Sequence, residues 1–352
     1  MQMRIILVMV LSMNARPLAA LTILAAVAAA SLLLVSGCGS GGENKEAAGK
    51  VGVTATTTQV GDLVRQVGGD RVSVRQILTP NSDPHDYEPR PSDAREIGNA
   101  KLVFRSGGDL DEWMTGLIKA GGGDAKTETL IDSVQLRKGE HEEEGKGHAE
   151  AEEGHGSEEG HAEGAETDPH WWQDPRNAVL ATAKIRDALI EADPAGRVQY
   201  ERNAKAYTRR LRKLDASVAA CINRIPTTER KLVTSHDALG YYVDRYRLRQ
   251  VGVVIPSLST QAQPSGKDIN QLVGEIRRQK VKAIFPENSL NPKLEAAVSR
   301  ESGAKVGGAL WADTLGPKGS SGEHYIESIA SNTQEIAEGV TGGKLDCTPT
   351  DR

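Results

Sequence analysis

The sequence predicts an α/β protein with two similar halves joined by a long helix, and three observations support this fold class. β-branched segments alternate with helical stretches from residue 51 to 133, and they alternate again from residue 231 to 339. Such alternation implies parallel sheets covered by helices. Between the two series, residues 176–223 read as helix, and Asp193-Pro194 is typical of a helix start with proline in the first turn.

The amino-terminal series predicts the first sheet and the helices that cover it. A helical stretch separates the first two strands, and Ser92 is a good N-cap residue for the helix after the second strand. The predicted strands are residues 51–57, 72–78, 101–105 and 128–133, and the later helices are residues 91–99 and 111–120.

The carboxy-terminal series begins after the linking helix. A helix of residues 194–223 would extend about 45 Å at 1.5 Å per residue, and its many Arg, Lys and Glu side chains indicate an exposed back face. The strands that follow are predicted at 231–235, 250–255, 281–285 and 305–311, with helices at 237–246, 267–279, 292–302 and 322–339.

The negative charge of the chain is confined to one segment. The 352 residues carry a formal net charge of −5, but residues 140–168 contain twelve acids against one lysine, which is −11. The remaining residues therefore carry a net positive charge of six. The overall acidity says little about the folded body, and it argues against a nucleic acid partner.

The amino terminus predicts a lipid-anchored exported protein. Residues 18–35 are almost wholly apolar, follow Arg16 and lead into Val-Ser-Gly-Cys at residues 35–38. This ending resembles a bacterial lipobox, in which Cys38 becomes the lipidated first residue and residues 39–49 form a flexible tether. A second apolar block before Asn14 suggests Met13 as the translation start. The alternative is an uncleaved membrane helix, since 18 apolar residues can span a bilayer.

The remaining two cysteines predict a disulfide. Cys221 and Cys347 form an even pair in a chain expected to reach an oxidising compartment. A bond between them would tie the end of the long helix to the carboxy-terminal tail. The alternative is two buried free thiols.

The tripeptide Asp-Pro-His occurs twice, ending at His85 and at His170, and a histidine-rich acidic insert separates the two copies. Residues 139–167 show no apolar periodicity, so we expect a poorly ordered segment. Its histidines could capture zinc weakly, because ordering such a chain costs about 1–2 kcal/mol per residue; the alternative is a solvated spacer. These histidines are His141, His148, His155 and His161.

Four side chains outside the insert occupy positions that suit a metal site. His85 follows the second predicted strand, His236 directly follows the fifth, Asp313 follows the last, and His170 precedes a helix. Ligands of open α/β sheets bind beyond the carboxyl ends of the strands. Three imidazoles and one carboxylate form a tetrahedral set that suits Zn²⁺.

The motifs around these four residues resemble those of the substrate-binding proteins of bacterial zinc and manganese ABC importers, in the order of that family and over residues 50–345. The motifs are PHDYEPRPSD at 84–93, DPHWWQDP at 168–175, TSHDALGY at 234–241 and LWADTLG at 310–316. The resemblance implies two Rossmann-like lobes, a rigid helical backbone, a buried metal site in the cleft and an ABC permease as partner. The insert before the second motif is typical of the zinc branch.

Two residues in or near these motifs, His236 and Glu287, indicate which metal is bound and what contacts the ligands. Family members that carry manganese tend to have Glu at the position of His236, and imidazole suits Zn²⁺ better than Mn²⁺. Phe285-Pro286-Glu287 departs from the usual Glu-Pro after the strand. We expect Glu287 to accept a hydrogen bond from a ligand imidazole; the alternative is a carboxylate on a surface loop.

These predictions divide the chain into seven segments and favour one function. The segments are a signal peptide (1–37), a tether (38–50), an amino-terminal lobe (51–193) with its insert (139–167), a linking helix (194–224), a carboxy-terminal lobe (225–345) and a tail (346–352). A closed four-ligand shell argues for a carrier over a hydrolase, since catalytic zinc keeps an open position. We expect a monomeric extracytoplasmic zinc receptor, with a metallochaperone as a further partner.

Three other functions stay open at this point. A manganese or iron receptor could have the same fold. An exported zinc hydrolase is a second alternative, although the chain has no His-Glu-x-x-His motif. A surface adhesin is the third.

Overall fold

The computed structural model describes residues 49–137 and 167–351. The predicted signal peptide, Cys38, nearly all of the tether and the four histidines of the insert lie outside these residues. The described residues all belong to one compact unit. The boundaries predicted for the two lobes remain a prediction. Below, residues 51–193 are called the amino-terminal half and residues 225–345 the carboxy-terminal half.

The amino-terminal half contains a four-stranded sheet with the order β2-β1-β3-β4, and every pairing is parallel. Val51 pairs with Val72, and Val53 pairs with Leu102. Parallel pairing brings the carboxyl ends of the strands to one edge of the sheet. The strands are β1 (Val51–Ala55), β2 (Val72–Gln76), β3 (Leu102–Arg105) and β4 (Lys126–Thr129).

The helices of this half follow the strands. The side chain of Thr57 caps the first helix by accepting a hydrogen bond from the backbone N–H of Val60. Ser92 is not the cap of the second helix, because that helix begins one residue earlier, with Pro91 in its first turn and Arg90 as the N-cap. Proline is favoured there, since its missing N–H would be unpaired in any case. The helices are α1 (Thr58–Gly68), α2 (Pro91–Gly98) and α3 (Met114–Gly121).

Two long helices follow, α4 (Pro175–Ala192), which ends the amino-terminal half, and α5 (Arg197–Asn223), which connects the two halves. The predicted helix start at Asp193-Pro194 is a 3₁₀ turn, and α5 begins at Arg197. Asp193 makes no side-chain cap; its Oδ2 accepts hydrogen bonds from Arg71 and Tyr200, both at 2.8 Å. The α5 helix is about 40 Å long and buries one face against α1 and α4, while its predicted exposed back face carries the charged residues.

The carboxy-terminal half is built from two parallel strand pairs, β5–β6 and β7–β8. A parallel bridge between Thr234 and Phe285 brings the first pair beside the second. The strands are β5 (Lys231–Thr234), β6 (Arg249–Val253), β7 (Ala283–Ile284) and β8 (Lys305–Val306). The helices are α6 (Gly240–Tyr246), α7 (Gly266–Gln279), α8 (Lys293–Ser302) and α9 (Tyr325–Thr341).

All eight strands are shorter than predicted, and two of them end well before their predicted carboxyl ends. The segment 128–133 leaves the sheet at Thr129 and continues as a 3₁₀ turn. The segment 305–311 ends as a strand at Val306. Gly307 and Gly308 follow, and a Cβ on them would lie 2.8 Å from the ring of Phe285 and 1.7 Å from the Glu335 carboxylate, respectively. Phe285 and Glu335 therefore fill the space that a side chain at Gly307 or Gly308 would occupy.

The carboxy-terminal tail is attached to α5. Cys221 and Cys347 are joined by a disulfide with a Cα–Cα distance of 5.9 Å, as the sequence predicts. Among the described residues, no helix is long and apolar enough to span a membrane.

Candidate metal site

The four predicted ligand residues converge at one point between the two halves. His85 lies after β2, His170 before α4, His236 directly after β5 and Asp313 after β8. One ligand atom from each residue can be chosen so that no two of the four are more than 4.8 Å apart. The sheet edges thus bring together residues separated by up to 228 positions in the chain.

Asp313 lies at the centre of the set. Its Oδ2 is 3.3 Å from Nε2 of His85 and 3.2 Å from Nε2 of His236, and its Oδ1 is 3.4 Å from Nε2 of His170. In a tetrahedral site with zinc–ligand bonds of about 2.0–2.1 Å, neighbouring ligand atoms are about 3.3–3.4 Å apart. The two contacts of Oδ2 therefore already have the length of edges in a tetrahedral zinc site, whereas His170 faces the other oxygen of the same carboxylate.

The atoms that face one another have no hydrogen-bond partner among the described residues. They are Nε2 of the three histidines and both carboxylate oxygens of Asp313. Three of the side chains are at most 1% exposed, and the His85 side chain is 7% exposed. Buried polar atoms without partners are costly and rare in folded proteins. A cation at this point would satisfy all four side chains at once.

Carboxylates behind the rings set the direction of two imidazoles. Nδ1 of His170 lies 2.8 Å from Oδ1 of Asp168, and Nδ1 of His236 lies 2.7 Å from Oε1 of Glu287. A carboxylate accepts the proton of Nδ1, so the lone pair of Nε2 is left to face the cluster. The contact of Glu287 matches the expectation from the sequence, whereas the sequence reasoning missed Asp168. Its signal was present, because Asp168 opens the second Asp-Pro-His tripeptide.

The two copies of Asp-Pro-His differ in what the aspartate contacts. Asp168 accepts hydrogen bonds from both the backbone N–H and the ring of His170. Asp83 accepts only the backbone N–H of His85, at 2.9 Å, and its other oxygen accepts a hydrogen bond from Thr260. Among the described residues, no hydrogen bond fixes Nδ1 of His85. The ring of His85 is therefore the least constrained of the three imidazoles.

Aromatic residues form one wall of the site. Trp171 and Trp172 are both fully buried in the core, as core packing requires. The ring of Trp172 also meets the ring of His170 edge-on, with 5.5 Å between the centroids. Its indole N–H donates to the carbonyl oxygen of Ala312, which precedes Asp313. Trp172 thus both excludes water from the cluster and fixes the backbone beside the carboxylate ligand.

His236 and Asp313 have pKa values shifted in opposite directions. Burial disfavours the charged form of His236, but Glu287 and Asp313 outweigh burial and raise the pKa of His236 well above its usual range. Burial also opposes the charged form of Asp313, yet the facing His236 and His170 hold the pKa of this carboxyl well below its usual value. The imidazole of His236 therefore favours its protonated form, and the facing carboxyl of Asp313 favours its ionised form.

The eighth histidine lies away from this cluster. His324 precedes α9, and its Nδ1 is 3.0 Å from Oδ1 of Asp62 on α1. It is half-exposed and belongs to no group of possible metal ligands among the described residues.

Comparisons with known proteins agree with the fold. Residues 53–339 match the family described as zinc-uptake complex component A, periplasmic. The chain is 28% identical over 323 residues to the manganese ABC transporter substrate-binding lipoprotein PsaA of Streptococcus anginosus, covering 88% of this chain and 96% of the relative. It is 27% identical to the iron ABC transporter substrate-binding lipoprotein MtsA of Streptococcus pyogenes serotype M1, with 88% and 95% coverage.

A solved structure has the same fold. The periplasmic zinc binding protein TroA from Treponema pallidum superimposes with a TM-score of 0.72 at 25% identity, covering 83% of this chain and 99% of that protein. Together with the family match over most of the chain, this superposition supports the parallel-sheet α/β architecture independently of the individual strands and helices. The chain belongs to the zinc-uptake complex component A periplasmic family.

Proposed function

We propose that this protein is an extracytoplasmic receptor that captures Zn²⁺ with His85, His170, His236 and Asp313 and delivers it to an ABC permease. The convergence of four buried ligand atoms without other partners carries this proposal. Relatives named as substrate-binding lipoproteins of ABC transporters support the delivery step. Zinc is the transported cargo here, and it is bound and released without chemical change.

The donor set favours a carrier over an enzyme. Four protein ligands complete a tetrahedral shell, so no position remains at which a bound water could be activated. Asp168 and Glu287 act behind the ligands, where they orient His170 and His236 and increase the basicity of both rings. Such an arrangement holds a cation tightly without performing chemistry on it.

The donor set also favours zinc over manganese. Three imidazoles and a single carboxylate suit Zn²⁺, whereas Mn²⁺ prefers more oxygen ligands. The alternative is a manganese or iron receptor on the same fold, since relatives of similar identity are named for those metals. His236 is the residue on which we base the preference for zinc.

The remaining parts of the proposal concern location and partners. A lipid on Cys38 would anchor the protein to the outer face of the cell membrane, as the lipoprotein names of relatives suggest. We propose that the protein works as a monomer, and that a metallochaperone is a further partner. The histidines of the insert would collect zinc at low affinity.

Titration with zinc tests this function. Wild-type protein stripped of metal should bind one equivalent tightly, and His236→Ala should lose that binding. His324→Ala is the matched control, because it removes an imidazole outside the cluster. Competition between zinc and manganese identifies the preferred cargo. Tight zinc binding by His236→Ala would refute the site, and preference for manganese would refute the zinc assignment.

A further inference from the structure

One loop of the carboxy-terminal half connects the segments that carry His236 and His85. This loop, residues 255–261, follows β6 and is called the bridging loop here. At its base, the backbone N–H of Ile255 donates to the carbonyl of Ser235, and the N–H of Asp237 donates to the carbonyl of Ser257. The base of the bridging loop is therefore bonded to both neighbours of His236.

The tip of the bridging loop reaches the amino-terminal half. The hydroxyl of Thr260 donates to Oδ2 of Asp83 at 2.7 Å, and Nε2 of Gln261 donates to the carbonyl oxygen of His85 at 2.6 Å. Asp83 in turn accepts the backbone N–H of His85 through Oδ1. The backbone of His85 is thus held on both sides by groups that depend on Thr260 and Gln261.

The position of His85 depends on these backbone hydrogen bonds more than the positions of His170 and His236 depend on theirs. The rings of His170 and His236 each contact a carboxylate through Nδ1, whereas the structure describes no such contact for His85. His85 lies between β2 and α2 on a segment without helix or strand. It is also the most exposed of the four ligands.

We infer that Thr260 and Gln261 are positioning residues that clamp His85 in the ligand set and thereby determine how long the protein retains its metal. This inference rests on the proposed function. When both hydrogen bonds of the clamp are formed, His85 occupies the fourth position of the ligand shell. When the two hydrogen bonds break, the segment around His85 can move away, and the most accessible ligand leaves first.

A second attachment limits how far the segment around His85 can move when the clamp opens. The backbone N–H of Asn81 donates to the hydroxyl of Thr314, next to Asp313, at 3.0 Å. This bond does not involve the bridging loop and remains when the clamp is removed. The segment around His85 therefore stays near the site, so rebinding remains fast and one equivalent of zinc should still bind.

The dissociation rate of zinc tests the clamp. Zinc-loaded protein is mixed with excess chromogenic chelator, and the release rate is extrapolated to conditions in which it no longer depends on chelator concentration. Thr260→Val should release zinc about tenfold faster, because a hydrogen bond to a charged acceptor is lost. Gln261→Ala should accelerate release severalfold, and the double variant should exceed either change alone. All three should bind one equivalent.

Two controls separate the clamp from a general effect on folding. Thr260→Ser keeps the hydroxyl and should restore the slow rate. Gln263→Ala removes an exposed glutamine of the same connection that has no described hydrogen bond to the His85 segment, and it should release zinc at the wild-type rate. Unchanged rates in Thr260→Val and Gln261→Ala, or equal acceleration in Gln263→Ala, would overturn the clamp.

The outcomes also separate this inference from the proposed function. If wild-type protein fails to retain one equivalent of zinc, both are refuted. If the wild type retains zinc and the variants release it at the same rate, only the clamp is refuted.

Discussion

Replacing Glu287 by glutamine should weaken zinc binding in a way that depends on pH. Oε1 of Glu287 accepts hydrogen bonds from both the ring Nδ1 and the backbone N–H of His236, at 2.7 and 3.1 Å. The amide oxygen of glutamine can accept both, so the geometry is kept and the charge is lost. Carboxylates behind ligand histidines contribute about 10–100-fold to metal affinity. Because the hydrogen bonds are retained, we expect a loss of about tenfold, or about 1.4 kcal/mol.

The pH dependence distinguishes this mechanism from a general loss of packing. Glu287 is the main charge that raises the pKa of His236, so in Glu287→Gln that pKa falls and protons compete less with zinc. The difference in affinity between the wild type and the variant should thus be largest near pH 8.5. It should shrink toward pH 6, where protonation weakens the wild type more than the variant.

A competition assay with a fluorescent zinc chelator between pH 6 and 8.5 measures both effects. Glu295→Gln is the matched control, because Glu295 is equally buried but accepts its hydrogen bond from Ser235 instead of a ligand. The reasoning fails if Glu287→Gln binds zinc as tightly as the wild type at pH 8.5. It also fails if the difference in affinity does not vary with pH, or if Glu295→Gln reproduces it.

Three further predictions follow from the site and its surroundings. In the wild type, zinc must displace protons from histidines whose pKa is raised, such as His170 and His236, so zinc affinity should fall with decreasing pH already above pH 6.5. Calorimetry in buffers of different ionisation enthalpy should detect the released protons, and the absence of proton release at pH 7 would contradict this prediction. Deleting residues 139–167 should remove weak zinc binding and reduce uptake at limiting zinc while the tight equivalent persists; unchanged stoichiometry and uptake would identify the insert as a spacer. Changing both Cys221 and Cys347 to alanine should lower the free energy of unfolding by about 2–4 kcal/mol, measured by denaturant titration, and a reductant should produce a similar loss in the wild type but none in the variant.

The convergence of the four candidate ligands could be predicted from the sequence because each lies in a loop that follows a strand or precedes a helix. Parallel sheets collect such loops at one edge, although His85 and Asp313 lie several residues beyond the ends of their strands. The sequence reasoning missed the breaks at Gly307 and Gly308, although glycine is depleted in strands and the pair was itself a signal. Phe285 and Glu335 fill that space, and only the folded structure shows them there.

The contacts that orient the ligands were only partly predictable. Asp168 lies two residues before His170, yet the same spacing places Asp83 on the backbone of His85 and on Thr260. Identical tripeptides thus give different contacts because the surrounding segments differ. The bonds from Thr260 and Gln261 join residues 176–177 positions apart, and no local pattern in the sequence marks such pairs.

The continuous hydrophobic core limits how the cargo can leave. A single cluster of buried side chains extends from Val51 on β1, through the inner face of α5, to Val340 on α9. A wide hinge opening, with the two halves rotating as rigid bodies, would expose this cluster to water at about 25 cal/mol for every Å² of apolar surface. Loaded and empty protein should therefore superimpose closely on their sheets and helices, and the exchange of the ion falls to short loop rearrangements at the rim.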